Sequence, residues 1–289
     1  MSARPPLTPL GSVPCRRSAL LALIVTGVYV AAVAVAGVVA AATGDLALLW
    51  RLTIMQEPDA GATGQDVLIA VLAAVPWAWA LWQCLRGPLE TAPREEEEPR
   101  IRRARFALYA AAATTLLLHP LPAPWPWWAD TVSALSMWAV AVLIHPVLVR
   151  PALRPRLARA ETIRSAGAVA FGGMTVLALL GLVGLPEIDP LYLVVGVATL
   201  IWTVLVLLAQ RDHERWRPVT VAYGIAALVT PYVSVLVAAV LVMSGTPVEP
   251  VSAPVGGLGA LAGALQVIWL ARSGHDLAAP ASRPVPVTG

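Results

Sequence analysis

Three tryptophans and one carboxylate crowd a short segment in which Trp125, Trp127 and Trp128 precede Asp130. Prolines alternate with other residues just before and within this group, and each one fixes a backbone dihedral. Because an indole face attracts a cation and a carboxylate supplies the opposite charge, such a group can hold an organic cation. The sequence therefore predicts a candidate binding hairpin at 125–130. The simpler interpretation is that these indoles anchor the chain at a membrane boundary.

Four more aromatic residues, Trp77, Trp138, Trp202 and Tyr232, lie deeper within apolar segments. A buried indole N–H or phenol needs a hydrogen-bond partner, so these residues are candidates for lining a cavity. They are equally suited to facing lipid or to filling contacts between helices. Spacing alone leaves these alternatives open.

Two prolines, Pro76 and Pro231, fall near the middles of apolar segments, and the pair Gly172-Gly173 interrupts another. A proline inside a helix removes one backbone hydrogen bond, so a kink is expected at each position. Pro76 and Pro231 are therefore candidate hinges for a transport cycle. Kinks are also common in membrane bundles that do not move.

The sequence lacks the motifs that catalysis, cofactor binding and metal binding require. It contains no H-E-x-x-H, G-x-S-x-G or P-loop motif, and no paired aspartates spaced to hold magnesium and a pyrophosphate. The four histidines do not cluster, and Cys15 and Cys84 form no C-x-x-C pair. We therefore expect no catalytic residue, no cofactor and no metal site.

The composition predicts that these residues are carried on membrane-spanning helices. Of 289 residues, 58% are hydrophobic and 13% are charged, whereas soluble domains carry roughly 25% charged residues. Crossing a bilayer takes about 20 apolar residues per helix. Eight windows fit this length and predict an all-α polytopic bundle with the lipid bilayer as its main partner. They are 19–43, 66–86, 104–119, 130–149, 165–184, 190–209, 219–243 and 254–271.

The arginines predict the orientation of the bundle. All 20 basic residues are arginine, and with the N-terminus inside, Arg51 is the only one that falls in an outer segment. Because positive residues collect on the cytoplasmic side, both ends are predicted to be cytoplasmic. Arginine without lysine is typical of a GC-rich genome, so we expect a bacterial inner membrane. The same bias explains the basic balance, and no nucleic-acid partner is expected.

The segments outside the spans are predicted to be short or disordered. Residues 1–18 and 272–289 are rich in Pro, Ser and Arg and are expected to form disordered cytoplasmic tails. The inner loop 87–103 carries an acidic run, which is either a solvated linker or a docking site for a cytoplasmic protein. In the first outer segment, residues 46–52 are expected to form a short interfacial helix with Arg51 towards water.

The first span has a competing interpretation as a cleaved signal peptide. Arg16 and Arg17 precede its apolar run, which ends in Ala40-Ala41-Ala42, a sequence that resembles a signal-peptidase site. The run exceeds the 7 to 15 apolar residues of a signal-peptide core. An uncleaved anchor is therefore favoured, and cleavage would leave seven spans.

These observations favour a membrane protein without catalytic chemistry. Beyond the first and last two residues of each window, none of the eight spans contains Asp, Glu, Lys or Arg, whereas intramembrane charges usually mark proton relays, ion paths or catalytic sites. The first expectation is a structural, sensory or accessory subunit. The alternative is a permease for a small neutral, hydrophobic or organic-cation substrate, and a membrane-embedded lipid enzyme ranks third.

Overall fold

The computed structural model describes residues 14–53, 64–87, 98–118, 127–148, 157–183, 189–244 and 248–279. Every regular element in these ranges is helical. The α-helices are α1 (Pro14–Thr43), α2 (Ala47–Thr53), α3 (Gly64–Leu85), α4 (Pro99–Leu118), α5 (Trp127–Leu148), α6 (Leu157–Gly167), α7 (Gly173–Leu182), α8 (Asp189–Arg211), α9 (Pro218–Met243) and α10 (Val248–Ala278). A π-helical segment, Ala168–Gly172, joins α6 to α7 without a break.

The helical elements confirm the predicted all-α fold class, and six helical stretches are long and apolar enough to cross a membrane. They are Ser18–Thr43, Gly64–Leu85, Trp128–Leu148, Arg159–Gly181, Pro190–Arg211 and Pro218–Met243. The third and eighth predicted spans correspond to α4 and α10, which are not among the six. Four arginines occupy the first two turns of α4, and glycines together with Gln266 interrupt the apolar run of α10.

Several helix ends differ from the predicted span limits. Helix α1 begins at Pro14, inside the predicted tail, and α4 begins at Pro99, inside the predicted loop 87–103. The short helix α2 confirms the element expected at 46–52, with Arg51 exposed and Leu49 and Trp50 buried. Tyr29 of α1 holds α2 in place by donating a hydrogen bond to the Leu52 carbonyl over 2.8 Å.

Helix α10 is the centre of one group of helices, because it packs against α3, α4 and α9. The sequence analysis ended the eighth span at 271 and placed 272–278 in a tail, whereas α10 continues through Ala278. Arg272 and Asp276 are 8% and 5% exposed. Asp276 accepts hydrogen bonds from Thr220 and Arg217, and Arg272 donates one to Gln83, so the helix continues with both side chains inside the bundle.

Helices α5 to α8 form the second group. Helix α5 packs against α4 and also against the continuous α6–α7 element, and α8 lies on α6 and the π-helical segment. Two glycines allow this close packing: a Cβ at Gly167 would lie 2.8 Å from Cδ1 of Trp202, and one at Gly173 would lie 2.6 Å from Cγ2 of Val195. The two groups are joined by the contact of α5 with α4 and by a sparser contact of α8 with α9.

Candidate functional site

A cavity of about 900 Å³ lies between the two groups of helices, walled by α5, α7, α8, α9 and α10. Each wall is one face of a helix, because the lining positions repeat every three or four residues. On α5 they are Asp130, Ser133, Ala134 and Met137, and on α9 they are Gly224, Ala227, Leu228, Pro231 and Tyr232. The cavity is therefore formed by the facing sides of five helices and not by one loop.

The cavity is deep compared with the thickness of a membrane. Along α8 its lining runs from Tyr192 to Thr203, which corresponds to roughly 16 Å at the helical rise of 1.5 Å per residue. Asp130 lies towards the Tyr192 end, and Gly224 and Trp269 lie towards the Thr203 end. A ligand in this space would reach about halfway through the helical bundle.

Three aromatic rings close the deep end of the cavity. Phe171 and Trp202 meet edge to face with ring centroids 4.9 Å apart, and Trp202 meets Trp269 at 6.5 Å in a similar orientation. Such edge-to-face pairs favour a fixed ring arrangement. Trp202 is fully buried, and its indole N–H makes no hydrogen bond. We call Phe171, Trp202 and Trp269 the aromatic floor.

The two threonines of the α8 wall can only accept hydrogen bonds from a ligand. Thr199 donates its hydroxyl to the Val195 carbonyl and Thr203 donates its hydroxyl to the Thr199 carbonyl, each over 2.8 Å. Because a hydroxyl has one donor and two lone pairs, both threonines retain only acceptor capacity. Asp130 is the one carboxylate among the lining residues, and it is exposed.

Of the predicted binding hairpin, the described structure brings only Asp130 to the cavity lining. Trp125 lies outside the described residues, and Trp127 begins α5 without a described side chain. Trp128 is 41% exposed and is not a lining residue. Instead of these indoles, Asp130 shares the cavity with Tyr192 and with the aromatic floor.

The deeper aromatic residues separate into two sets. Trp202 and Tyr232 line the cavity, whereas Trp77 is buried in the core and Trp138 is largely exposed. The candidate hinges also divide, because Pro231 lines the cavity and Pro76 is a half-buried residue within α3. Both prolines lie inside continuous helices, and their role as hinges stays a prediction.

A buried polar network lies directly beneath the aromatic floor. Trp269 donates its indole N–H to Oε1 of Gln210 over 2.9 Å, and Nε2 of Gln210 donates to Oγ of Ser273 over 3.2 Å. One residue before Ser273, Nη1 of Arg272 donates to Oε1 of Gln83 over 2.7 Å. These bonds join α3, α8 and α10 in one layer across the bundle.

Asp276 extends this network by one further helical turn. Its carboxylate accepts hydrogen bonds from the Thr220 hydroxyl over 2.6 Å and from the Arg217 backbone N–H over 3.1 Å. Nε of Arg217 lies 3.8 Å away. Burial raises the pKa of Asp276, although these bonds act in the opposite direction. Burial, assisted by the charge of Arg86, lowers the pKa of Arg272.

This network was not predicted from the sequence, because the residues after 271 were expected to form a tail. Two signals in the sequence point to it. Gln83 and Gln210 are amides in the last turns of otherwise apolar helices, and both are buried. Arg272 and Asp276 are four residues apart, which places both on one face of a helix. Buried amides at helix ends require polar partners from a neighbouring element.

Comparison of the chain with protein-family models, curated proteins and solved structures gave no match. Within the described ranges, no three His, Cys, Asp or Glu side chains come together in a way that could hold a metal ion. The functional argument therefore rests on the cavity and on the network beneath it.

Proposed function

We propose that this protein is a permease for small, predominantly apolar organic molecules, with lipophilic cations as the preferred class. The observation that carries the proposal is the cavity of about 900 Å³ among five helices, closed by the aromatic floor. Small-molecule sites in proteins are concave, mostly apolar and of this size. The cavity favours this function over the structural or accessory role that ranked first from the sequence.

The preference for cations follows from the chemistry of the walls. Thr199 and Thr203 offer lone pairs because their own helix occupies their donors. Asp130 adds one negative charge, and indole and phenol faces attract positive charge. Donors directed at an anion would require free N–H or O–H groups, which these threonines do not supply.

The network beneath the aromatic floor supports a permease that is closed at one end. Trp269, Gln210 and Ser273 form a hydrogen-bonded layer between the deep end of the cavity and the last turns of α10. Passage would require this layer to separate. We propose that it is the inner barrier and that the Asp130 end is the outer entrance.

We further propose a topology of eight spans with both ends cytoplasmic, in a bacterial inner membrane. The distribution of arginines supports it, and so does the position of α10 between α3, α4 and α9. A helix enclosed by membrane-spanning neighbours buries polar residues that lipid would exclude. For the same reason, we include α4, which packs along α10 and α5.

Binding can be tested with two lipophilic ions of the same shape and opposite charge, tetraphenylphosphonium and tetraphenylborate. A Cβ at Gly196, which lines the cavity, or at Gly27 in α1 would meet no atom within 4 Å. Gly196→Leu should therefore abolish saturable tetraphenylphosphonium binding in detergent, whereas Gly27→Leu should preserve it. Asp130→Asn should weaken binding of the cation severalfold. Equal binding by both glycine variants would contradict the cavity as the site.

Transport is tested separately in proteoliposomes. Wild-type protein should carry the cation across the bilayer, and Gly196→Leu should lose this activity while retaining its fold. Saturable binding without transport would contradict the permease and favour a sensory role for the same cavity. The structural or accessory subunit and the lipid enzyme stay predictions from the sequence.

A further inference from the structure

Two arginines at the end of the bundle opposite Asp130, Arg272 buried and Arg86 half-buried, each have a guanidinium Nε that makes no hydrogen bond within the described residues. Arg272 is 8% exposed, and although its Nη1 donates to Gln83, its Nε makes no hydrogen bond. A guanidinium has five N–H donors and is costly to bury without compensation. The guanidinium carbon of Arg272 also lies 5.9 Å from the centroid of the Tyr223 ring, so the group that remains without a partner is its Nε donor.

Arg86 is the second of these arginines. It follows Gln83 by three residues and so projects from the same face of α3. Gly87, at a φ of 73°, follows it and allows the chain to leave the helix. Nε of Arg86 is buried without a hydrogen bond. The charge of Arg86 also contributes to lowering the pKa of Arg272, as expected for two cations held near one another.

The described carboxylates do not neutralise this pair. Asp276 is bound by Thr220 and Arg217, and the ion pairs formed within the described ranges include neither Arg86 nor Arg272. The neighbouring His275 adds no negative charge. Burial, together with the charges of the surrounding arginines, lowers its pKa to about 4. The charge of Asp276 favours Arg272, but this one carboxylate is shared with Arg217 and does not balance the charges of both Arg86 and Arg272.

We propose that Arg86 and Arg272 bind a phosphate group, carried either by an anionic phospholipid or by free inorganic phosphate. Phosphate oxygens accept several charge-assisted hydrogen bonds, and the planar guanidinium fits them well. In the proposed orientation this region lies at the cytoplasmic surface, where anionic lipids gather and basic pockets between helices bind their headgroups. The site is separate from the cavity and does not depend on the permease function.

An acidic segment of the chain is the competing occupant. Glu95, Glu96 and Glu97 lie in the stretch 88–97, outside the described residues. In sequence, this stretch connects α3, which ends just before Arg86, to α4, which begins at Pro99. Their carboxylates have the charge that the arginines need. The experiment therefore has to distinguish a bound phosphate from this segment.

The test uses the full chain, purified in a neutral detergent and stripped of lipid. Thermal unfolding is followed during titration with phosphatidylglycerol, with phosphatidylcholine of the same acyl chains, and with inorganic phosphate. Phosphatidylglycerol should raise the Tm saturably by several degrees, and phosphatidylcholine should not. If inorganic phosphate produces the same saturable rise, free phosphate is the source of the group.

Arg86→Gln carries the test, because Arg272→Gln removes a buried hydrogen bond to Gln83 and can prevent folding. The rise in Tm should be lost in Arg86→Gln and kept in Arg211→Gln, a matched change of an exposed arginine at the end of α8. An equal response of both variants would overturn the proposal. The absence of any rise in Tm in the wild type would also overturn the proposal. This includes the outcome in which the rise appears only after Gln replaces the residues at 95, 96 and 97, because the acidic segment would then be the occupant.

Discussion

Gly224 lies where α8, α9 and α10 meet at the deep end of the cavity. A Cβ at this position would lie 2.3 Å from Cδ2 of Leu207 and 2.8 Å from Cδ1 of Trp269. Neither distance is compatible with real side-chain contacts, so the absence of a side chain permits the aromatic floor to form. One atom at this position therefore controls both helix packing and the shape of the cavity.

Gly224→Ala should destabilise the protein by about 1 to 3 kcal/mol, the usual cost of overpacking a buried contact. Gly27→Ala provides the matched control, because a Cβ there meets nothing within 4 Å. The control should be neutral or slightly stabilising, since alanine is the better helix former. Denaturation in detergent measures both. Equal stability of the two variants would show that the floor adjusts without cost.

His275 should make the bundle sensitive to acid. Burial and the charges of Arg272, Arg86 and Arg105 lower its pKa to about 4 from an ordinary value of 6.5. Its side chain packs beside the Tyr109 ring, with centroids 5.5 Å apart, and bonds to the Cys84 backbone. As the pH falls below 6.5, the unfolded chain binds a proton that the folded chain refuses, so stability decreases until about pH 4.

The neighbouring Asp276 has the opposite effect on stability when the pH falls. Its pKa is raised, so the folded chain takes up this proton before the unfolded chain does, and acid adds stability in that range. The Tm of His275→Gln should therefore fall less between pH 6.5 and 4 than the Tm of the wild type. His145→Gln, in a different part of the bundle, should keep the wild-type slope. An unchanged slope in His275→Gln would contradict this origin.

Helix α9 contains its proline at the cavity wall. Thr230 donates its hydroxyl to the Ala226 carbonyl over 2.7 Å, one position before Pro231. The carbonyl that loses its helical donor at Pro231 is that of Ala227, so the Thr230 bond adds a contact in the same turn but does not replace the missing one. The helix runs unbroken from Pro218 to Met243, so the proline changes the backbone of a wall without ending it.

Pro231→Ala should keep or raise the thermal stability, because it restores one backbone hydrogen bond. It should also weaken tetraphenylphosphonium binding, since Pro231 lines the cavity. Pro76→Ala, in a helix that does not line the cavity, should leave binding unchanged. A large loss of stability in Pro231→Ala would show instead that the neighbouring helices are packed around a bend.

The positions of the helices could be predicted well from the sequence, but the packing partners of each helix could not. Apolar length identifies a span because lipid excludes unpaired backbone groups, and the short helix Ala47–Thr53 was predicted from its amphipathic pattern. Periodicity identifies the face of a helix but not what that face contacts. For this reason Trp202 at the cavity and Trp77 in the core looked alike, and the buried extension of α10 past 271 looked like a tail.

At the largest scale, the described helices α3 to α10 form two groups with the cavity between them. Helix α10 is the centre of the first group, and α5 to α8 form the second. Each functional proposal depends on which end faces the cytoplasm. The orientation is therefore the property of the whole molecule that most needs measurement.

Cysteine labelling with a membrane-impermeant maleimide should establish the orientation. Cys15 should react in inverted vesicles but not in intact cells, and Thr63→Cys should show the opposite pattern. Labelling of Cys15 from outside would reverse the orientation, and loss of its segment from the mature protein would indicate cleavage of the first span.

The same reagent tests whether α10 crosses the membrane. Thr246→Cys, just before α10, should react only from outside, and Ser282→Cys, just after it, only from inside. Reaction of both from one side would contradict eight spans.

The central position of α10 has a consequence for biosynthesis. Its partners α3 and α4 leave the ribosome first, and roughly 130 residues separate the end of α4 from the start of α10. At ordinary elongation rates, this stretch takes on the order of ten seconds to make. During that interval the faces of α3 and α4 that pack against α10, with Gln83 among them, lack this partner. The nascent chain thus passes through a stage in which polar groups destined for the interior remain in contact with lipid, water or the insertion machinery.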